Sequence, residues 1–130
     1  MELTKKHCVP CKGGTPPFSN EQEVAYIKDT PSWVLDRENV HKIRKRFIFK
    51  NFKEAMAFIN KVADLAEEQG HHPDIYISYN KVELMLFTHA VGGLSENDFI
   101  MAAKIDEIWK ERDKYQQTII RKKKWKYERV

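Results

Sequence analysis

Cysteine is scarce in this chain: two residues among 130, at Cys8 and Cys11. A pair three positions apart is no disulfide framework, so the plan of a small stapled secreted domain is excluded. No run of about 18 apolar residues occurs, which leaves no candidate transmembrane helix. Residues 1–14 lack the apolar stretch of a signal peptide, and a reducing cytoplasm is the expected location. Half of the glycines and prolines crowd into the first eighteen residues. There Cys8-Val9-Pro10-Cys11, Gly13-Gly14 and Pro16-Pro17 punctuate structure rather than propagate it.

The remainder has the makings of one core. Hydrophobic residues make up 42% and aromatics 12%, enough to exclude a disordered chain and about right for a single domain. The net charge of +4 is unevenly spread, because residues 110–130 hold nine Lys or Arg against three acids. The chain is expected to divide into an extended leader over 1–18, a folded domain over 19–112 and a basic extension over 113–130, helical at first.

Within the domain the pattern alternates between two periods. Ser19 with Gln22 forms a capping box for a short helix carrying Val24, Ala25 and Ile27 and closed by Pro31. Residues 33–35 read as a short strand. Residues 40–50 read as a longer one, with Ile43, Phe47 and Phe49 on a dry face and Lys42, Arg44 and Arg46 on a wet face. Asn51 with Glu54 caps a helix whose stripe is Ala55, Met56, Phe58, Ile59, Val62, Ala63, Leu65 and Ala66, ended by Gly70. Residues 75–79 and 82–89 form a hairpin turning at Asn80-Lys81. Ser95 with Asp98 caps the last helix, which carries Phe99, Ala102, Ala103, Ile105, Ile108 and Trp109. This order predicts an α+β domain: an antiparallel four-stranded sheet with three helices packed on one face.

Three of the five histidines fall at the open end of that hairpin. His71-His72-Pro73 enters it and His89 leaves it, so a hairpin gathers residues far apart in sequence. Pro73 biases His72 toward an extended backbone, where neighbouring side chains diverge and take different partners. Imidazole titrates near neutral pH, and a cluster can hold one neutral base beside one protonated acid. Two other readings stand beside this one. Such histidines are commonly structural, and they also bind zinc, although the i, i+4 helical spacing is missing. Cys8 and Cys11 with His7 give half a zinc site or a reduced leader without a role. The run over 121–127 interleaves bases with Trp125 and Tyr127, as some nucleic-acid contacts do, but terminal charge runs are more often solvated and nucleic acid is not the expected partner.

Gly70-His71-His72-Pro73-Asp74, Tyr79-Asn80-Lys81-Val82, Thr88-His89 and Gly93-Leu94-Ser95 with Asp98 together resemble the pterin-4a-carbinolamine dehydratases. The likeness is densest over 67–98, and the leader from Cys8 to Gly14 is similar to the start of many bacterial members. The resemblance implies dehydration of 4a-hydroxytetrahydropterin to quinonoid dihydropterin, recycling the pterin of aromatic amino-acid hydroxylases without a metal or organic cofactor. It implies that His71 and His89 are the acid–base pair, that His72 mainly holds the pterin, and that Asp98 orients a histidine or bonds the pterin. Glu67 matches an acidic position that tunes His71; on its own it reads equally well as a solvated helix residue. It further implies a homodimer or homotetramer assembled through the sheet and the long helix. The other role found on this scaffold is that of a non-catalytic dimerisation or assembly partner. One departure is Ile75, where animal members carry an aromatic; Tyr76 and Phe87 are the aromatic residues nearby.

Overall fold

The computed structural model describes residues 2–128, with side chains as far as residue 112. The helices are α1 (Asn20–Ile27), α2 (Phe52–Gln69) and α3 (Glu96–Glu128), and the strands are β1 (Val34–Asp36), β2 (Lys42–Ile48), β3 (Asp74–Ser78) and β4 (Lys81–Leu86). All neighbouring strands are antiparallel, in the order β1-β2-β4-β3. The helices cover one face of this sheet, so the architecture is the expected α+β sandwich of two layers. The side chains of the basic run over 121–127 lie outside the described residues.

The period-two pattern of β2 and β4 supplies the floor of the core. Ile43 and Phe47 from β2, with Val82, Leu84 and Leu86 from β4, are all buried. Phe58, Val62 and Ala66 from α2 and Phe99, Ala102 and Ile105 from α3 close over them. Phe47 and Phe58 meet at 4.8 Å between ring centroids, and burying one such ring contributes about 2–3 kcal/mol. Lys45 shares the dry face of β2. Its ammonium is 2.7 Å from Asp106 on α3, so the one charge on that face is paired rather than orphaned.

Four local expectations need correcting. The hairpin turns at Tyr79-Asn80, since Ser78 pairs with Lys81; Tyr79 takes the left-handed conformation at φ 53°. Asn80 is held there by β2's exit: its side-chain amide donates to the Phe49 carbonyl and its backbone carbonyl accepts from the Phe49 N–H, each at 2.8 Å. The second strand stops at Leu86, and His89 lies in a 3-10 turn over His89–Val91. The cause is an isolated bridge between Thr88 and Gly93 that folds the chain back. In α1, Val24 is exposed and the buried residue is Glu23, whose carboxylate accepts from Arg37 Nε and lies against His41 Nδ1, both at 2.8 Å. In α2, Ala63 is exposed while Gln69 is buried, so the stripe is narrower than the sequence suggests and ends on a polar residue.

The leader is docked, not free. Leu3 is buried within a 3-10 turn over Leu3–Lys5, and Lys104 of α3 donates to the Thr4 carbonyl at 2.8 Å. Glu96 ties it again, accepting from Lys6 at 2.9 Å and from the Tyr26 hydroxyl at 2.7 Å. The Tyr26 bond holds the Glu96 carboxyl below its ordinary range and pushes the Tyr26 phenol up to about 12. Pro17 packs so closely on Gly93 that a Cβ there would meet the proline at 2.8 Å.

Candidate active site

Gly70 ends α2 in the left-handed conformation at φ 64°, and both its N–H and that of His71 reach the Ala66 carbonyl. This tight C-terminal turn aims His71 across to α3. His71 Nε2 lies 2.6 Å from Asp98 Oδ1, and Asp98 is fully buried. The other carboxylate oxygen accepts from Thr88 Oγ1 at 2.9 Å and from the Ser95 N–H at 3.0 Å. Asp98 therefore performs the backbone half of a capping box, while Ser95 Oγ turns 2.7 Å away to Thr88. A carboxylate can only accept, so it takes the Nε2–H of His71, and in the neutral imidazole that leaves the lone pair on Nδ1.

His72 faces elsewhere, as its extended backbone before Pro73 requires. Its Nε2 lies 2.5 Å from Glu67 Oε2 on the exposed side of α2. Glu67 thus contacts His72 and not His71, and it stands outside the cavity lining. His89 is exposed and packs on Phe87 with ring centroids 4.2 Å apart. His71, His72 and His89 nevertheless line one cavity of about 340 Å³, within the size range of small-molecule sites. Phe87 is in that lining and Tyr76 is not.

Several lining residues stand outside the site expected from the sequence. Asp74 sits beside the His-His-Pro motif and could have been suspected from it. Asn97, Val9, Pro10 and Cys11 also line the cavity, although the leader has no periodicity that would place it there. A second cavity, of about 260 Å³, is bounded by Lys53, Phe58, Lys61, Ile108 and Arg112. It contains no histidine, so the first is the better candidate for proton chemistry. Among the described residues no cluster of three or more His, Cys, Asp or Glu is placed to hold a metal ion.

The two thiols differ in setting. Burial, with the Asp98 charge adding to it, pushes the Cys8 thiol up to about 11. At pH 8 Cys8 should therefore react with iodoacetamide about a hundredfold more slowly in the folded protein than in urea, because only the thiolate attacks. Peptide mapping of the alkylated chain measures this; equal rates in the two states would mean that Cys8 is not desolvated.

Fold and site together define a two-layer α+β domain with a cavity lined by three histidines and Asp74 at the open end of the β3–β4 hairpin. Residues 16–108 match the family described as Pterin 4 alpha carbinolamine dehydratase. A protein of Rubrobacter xylanophilus provisionally named pterin-4-alpha-carbinolamine dehydratase is 47% identical over 82% of this chain and 98% of its own length. One of Halorhodospira halophila with the same provisional name is 44% identical over 83% and 98%. A crystal structure from Brucella melitensis, titled transcriptional coactivator/pterin dehydratase, superposes with a TM-score of 0.66 at 29% identity, over 71% of this chain and 97% of that one. A pterin dehydratase-like protein described as a RuBisCO assembly factor in the alpha-carboxysome gives 0.51 at 28%, over 59% and 88%. The chain belongs to the pterin-4-alpha-carbinolamine dehydratase family, a family of hydro-lyases. Among the described residues no helix is long and apolar enough to cross a membrane.

Proposed function

We propose that this protein dehydrates 4a-hydroxytetrahydropterin to quinonoid dihydropterin by histidine acid–base catalysis. The observation that carries the reading is the buried Asp98 holding His71 at 2.6 Å in a cavity that His89 also lines. His71 Nδ1 takes the proton from the ring nitrogen beside the carbinol carbon. That nitrogen's electron pair forms the new C=N bond, and the 4a-hydroxyl departs as water with a proton from His89. Solvent exchange then returns both imidazoles to their starting states. His72, steadied by Glu67, holds the pterin, and Phe87 offers an aromatic face where Ile75 offers none. The reaction returns the oxidised pterin of an aromatic amino-acid hydroxylase to a form that a reductase can reuse. The test is turnover of freshly generated 4a-hydroxytetrahydropterin by the purified protein. A rate above spontaneous dehydration is expected, and a rate equal to it would refute the proposal.

Assembly into at least a homodimer belongs to the same reading. β3 is an edge strand, and Ile75, Tyr76, Ile77 and Tyr79 on and beside it are exposed. An uncovered apolar edge invites pairing with a second copy. Light scattering should give a dimer or tetramer mass, and Ile77→Lys should lower it; a monomeric wild type would rule the assembly out.

A further inference from the structure

Residues 8–11 join the C-terminal end of α2 to the first turn of α3 by a set of bonds that the proposed chemistry does not use. Asn97 on α3 is buried, and its carboxamide grips Val9 from both sides. The Val9 N–H donates to Oδ1 at 3.0 Å, and Nδ2 donates to the Val9 carbonyl at 2.6 Å. Gln69, buried on the last turn of α2, accepts from the Cys8 N–H at 2.9 Å. Asn97 Nδ2 also lies 3.4 Å from Cys11 Sγ. Two buried amides from two helices therefore find partners in one short segment: without it the Asn97 carboxamide and the Gln69 Oε1 would lose these bonds, at a cost, while Gln69 Nε2 keeps its contact with His7 at 3.3 Å.

The latches decide what the segment shows to the cavity. The Val9 backbone donor and acceptor are both turned to Asn97, and Pro10 has no N–H. Val9, Pro10 and Cys11 line the cavity with the three histidines, and the backbone polar groups of Val9 are already engaged by Asn97. Because the leader is also anchored through Leu3, Thr4 and Lys6, its ordering cost is met before any ligand arrives. The latch residues neighbour the catalytic elements directly: Gln69 lies two positions before His71, and Asn97 one before Asp98.

We propose that residues 9–11 form a substrate-binding wall of the cavity, a surface on which the planar pterin packs, and that Asn97, with Gln69, is the positioning residue that holds this wall in place. The inference rests on the proposal that the cavity takes a pterin. It predicts a defect in binding rather than in the chemical step. In the full chain, Asn97→Ala should raise KM for 4a-hydroxytetrahydropterin about tenfold while kcat changes less than about twofold; Gln69→Ala and Pro10→Gly should raise it about threefold. An independent readout needs no turnover. In the wild type, a stable 7,8-dihydropterin at saturation should slow alkylation of Cys11 at least about fivefold, and Asn97→Ala should abolish that protection.

An unchanged KM in both Asn97→Ala and Pro10→Gly, with melting temperatures confirming that both fold, would overturn the wall. So would a fall in kcat alone in Asn97→Ala, which would mean that Asn97 acts through its neighbour Asp98. Protection of Cys11 in a wild type that shows no turnover would keep the wall and remove the dehydratase reading. Turnover without protection would do the reverse.

Discussion

Replacing His71 by alanine is expected to lower kcat for 4a-hydroxytetrahydropterin by about 10²–10⁴-fold, the usual worth of a positioned general acid or base. His89→Ala is expected to fall in the same range. The double variant should lose little more than the worse single one, because both groups serve one bond-breaking event and their effects are not additive. His72→Ala should differ in kind, raising KM and leaving most of kcat, since its ring contacts the exposed Glu67 rather than the buried carboxylate. Folding should survive all three: His89 and His72 are exposed, and in His71→Ala the buried Asp98 carboxylate keeps its Thr88 and Ser95 donors. Stopped-flow turnover corrected for spontaneous dehydration measures each effect. A double variant as fast as wild type would remove the two histidines from the chemistry. A His72→Ala as slow as His71→Ala would mean that the division of roles is wrong.

What could be read in the sequence follows from the range over which each signal acts. The limits of α2 were legible because their determinants are local: Asn51 accepting from the Glu54 N–H and Gly70 at φ 64°, while its 3.6-residue stripe was read too wide at Ala63 and missed Gln69. The hairpin was legible in kind but shifted by one residue at its turn. Alternation fixes which side chains share a face and leaves the turn position to contacts such as that of Asn80 with Phe49. His89 could not be placed by alternation at all, since a bridge from Thr88 to Gly93 ends the strand's register before it. Glu23 and the leader were illegible for the same reason. Glu23 is buried because Arg37 and His41 meet it across a turn of the fold, and Val9 is held by Asn97, 88 positions away. Periodicity carries no information about a polar group's partner at that distance. Of the candidate site, the histidines were visible through the spacing of a motif, while the leader residues that line the same cavity became visible only in three dimensions.

The sharpest test of the site is a change of one atom in Asp98. In Asp98→Asn the amide oxygen can take the place of Oδ2 and still accept from Thr88 Oγ1 and the Ser95 N–H, now at 2.9 and 3.0 Å. The amide nitrogen then faces His71 Nε2, where the carboxylate had accepted. Two donors cannot share that contact, so the His71 proton must move to Nδ1, and the lone pair needed as base is lost from the proposed reacting nitrogen. The expected result is a kcat lower by about 10³–10⁴-fold, the scale seen when a catalytic histidine is forced into the wrong tautomer. Stability should be nearly unchanged. Asp98→Ala should lose activity to a similar degree and also fold less stably by about 2–4 kcal/mol, because Thr88 and the start of α3 lose their acceptor in a buried place. Nitrogen-15 NMR of the His71 ring would report the tautomer directly, and urea unfolding the stability. An Asp98→Asn variant turning over at near the wild-type rate would show that Asp98 only caps α3, and that His71 owes its role to something other than the carboxylate behind it.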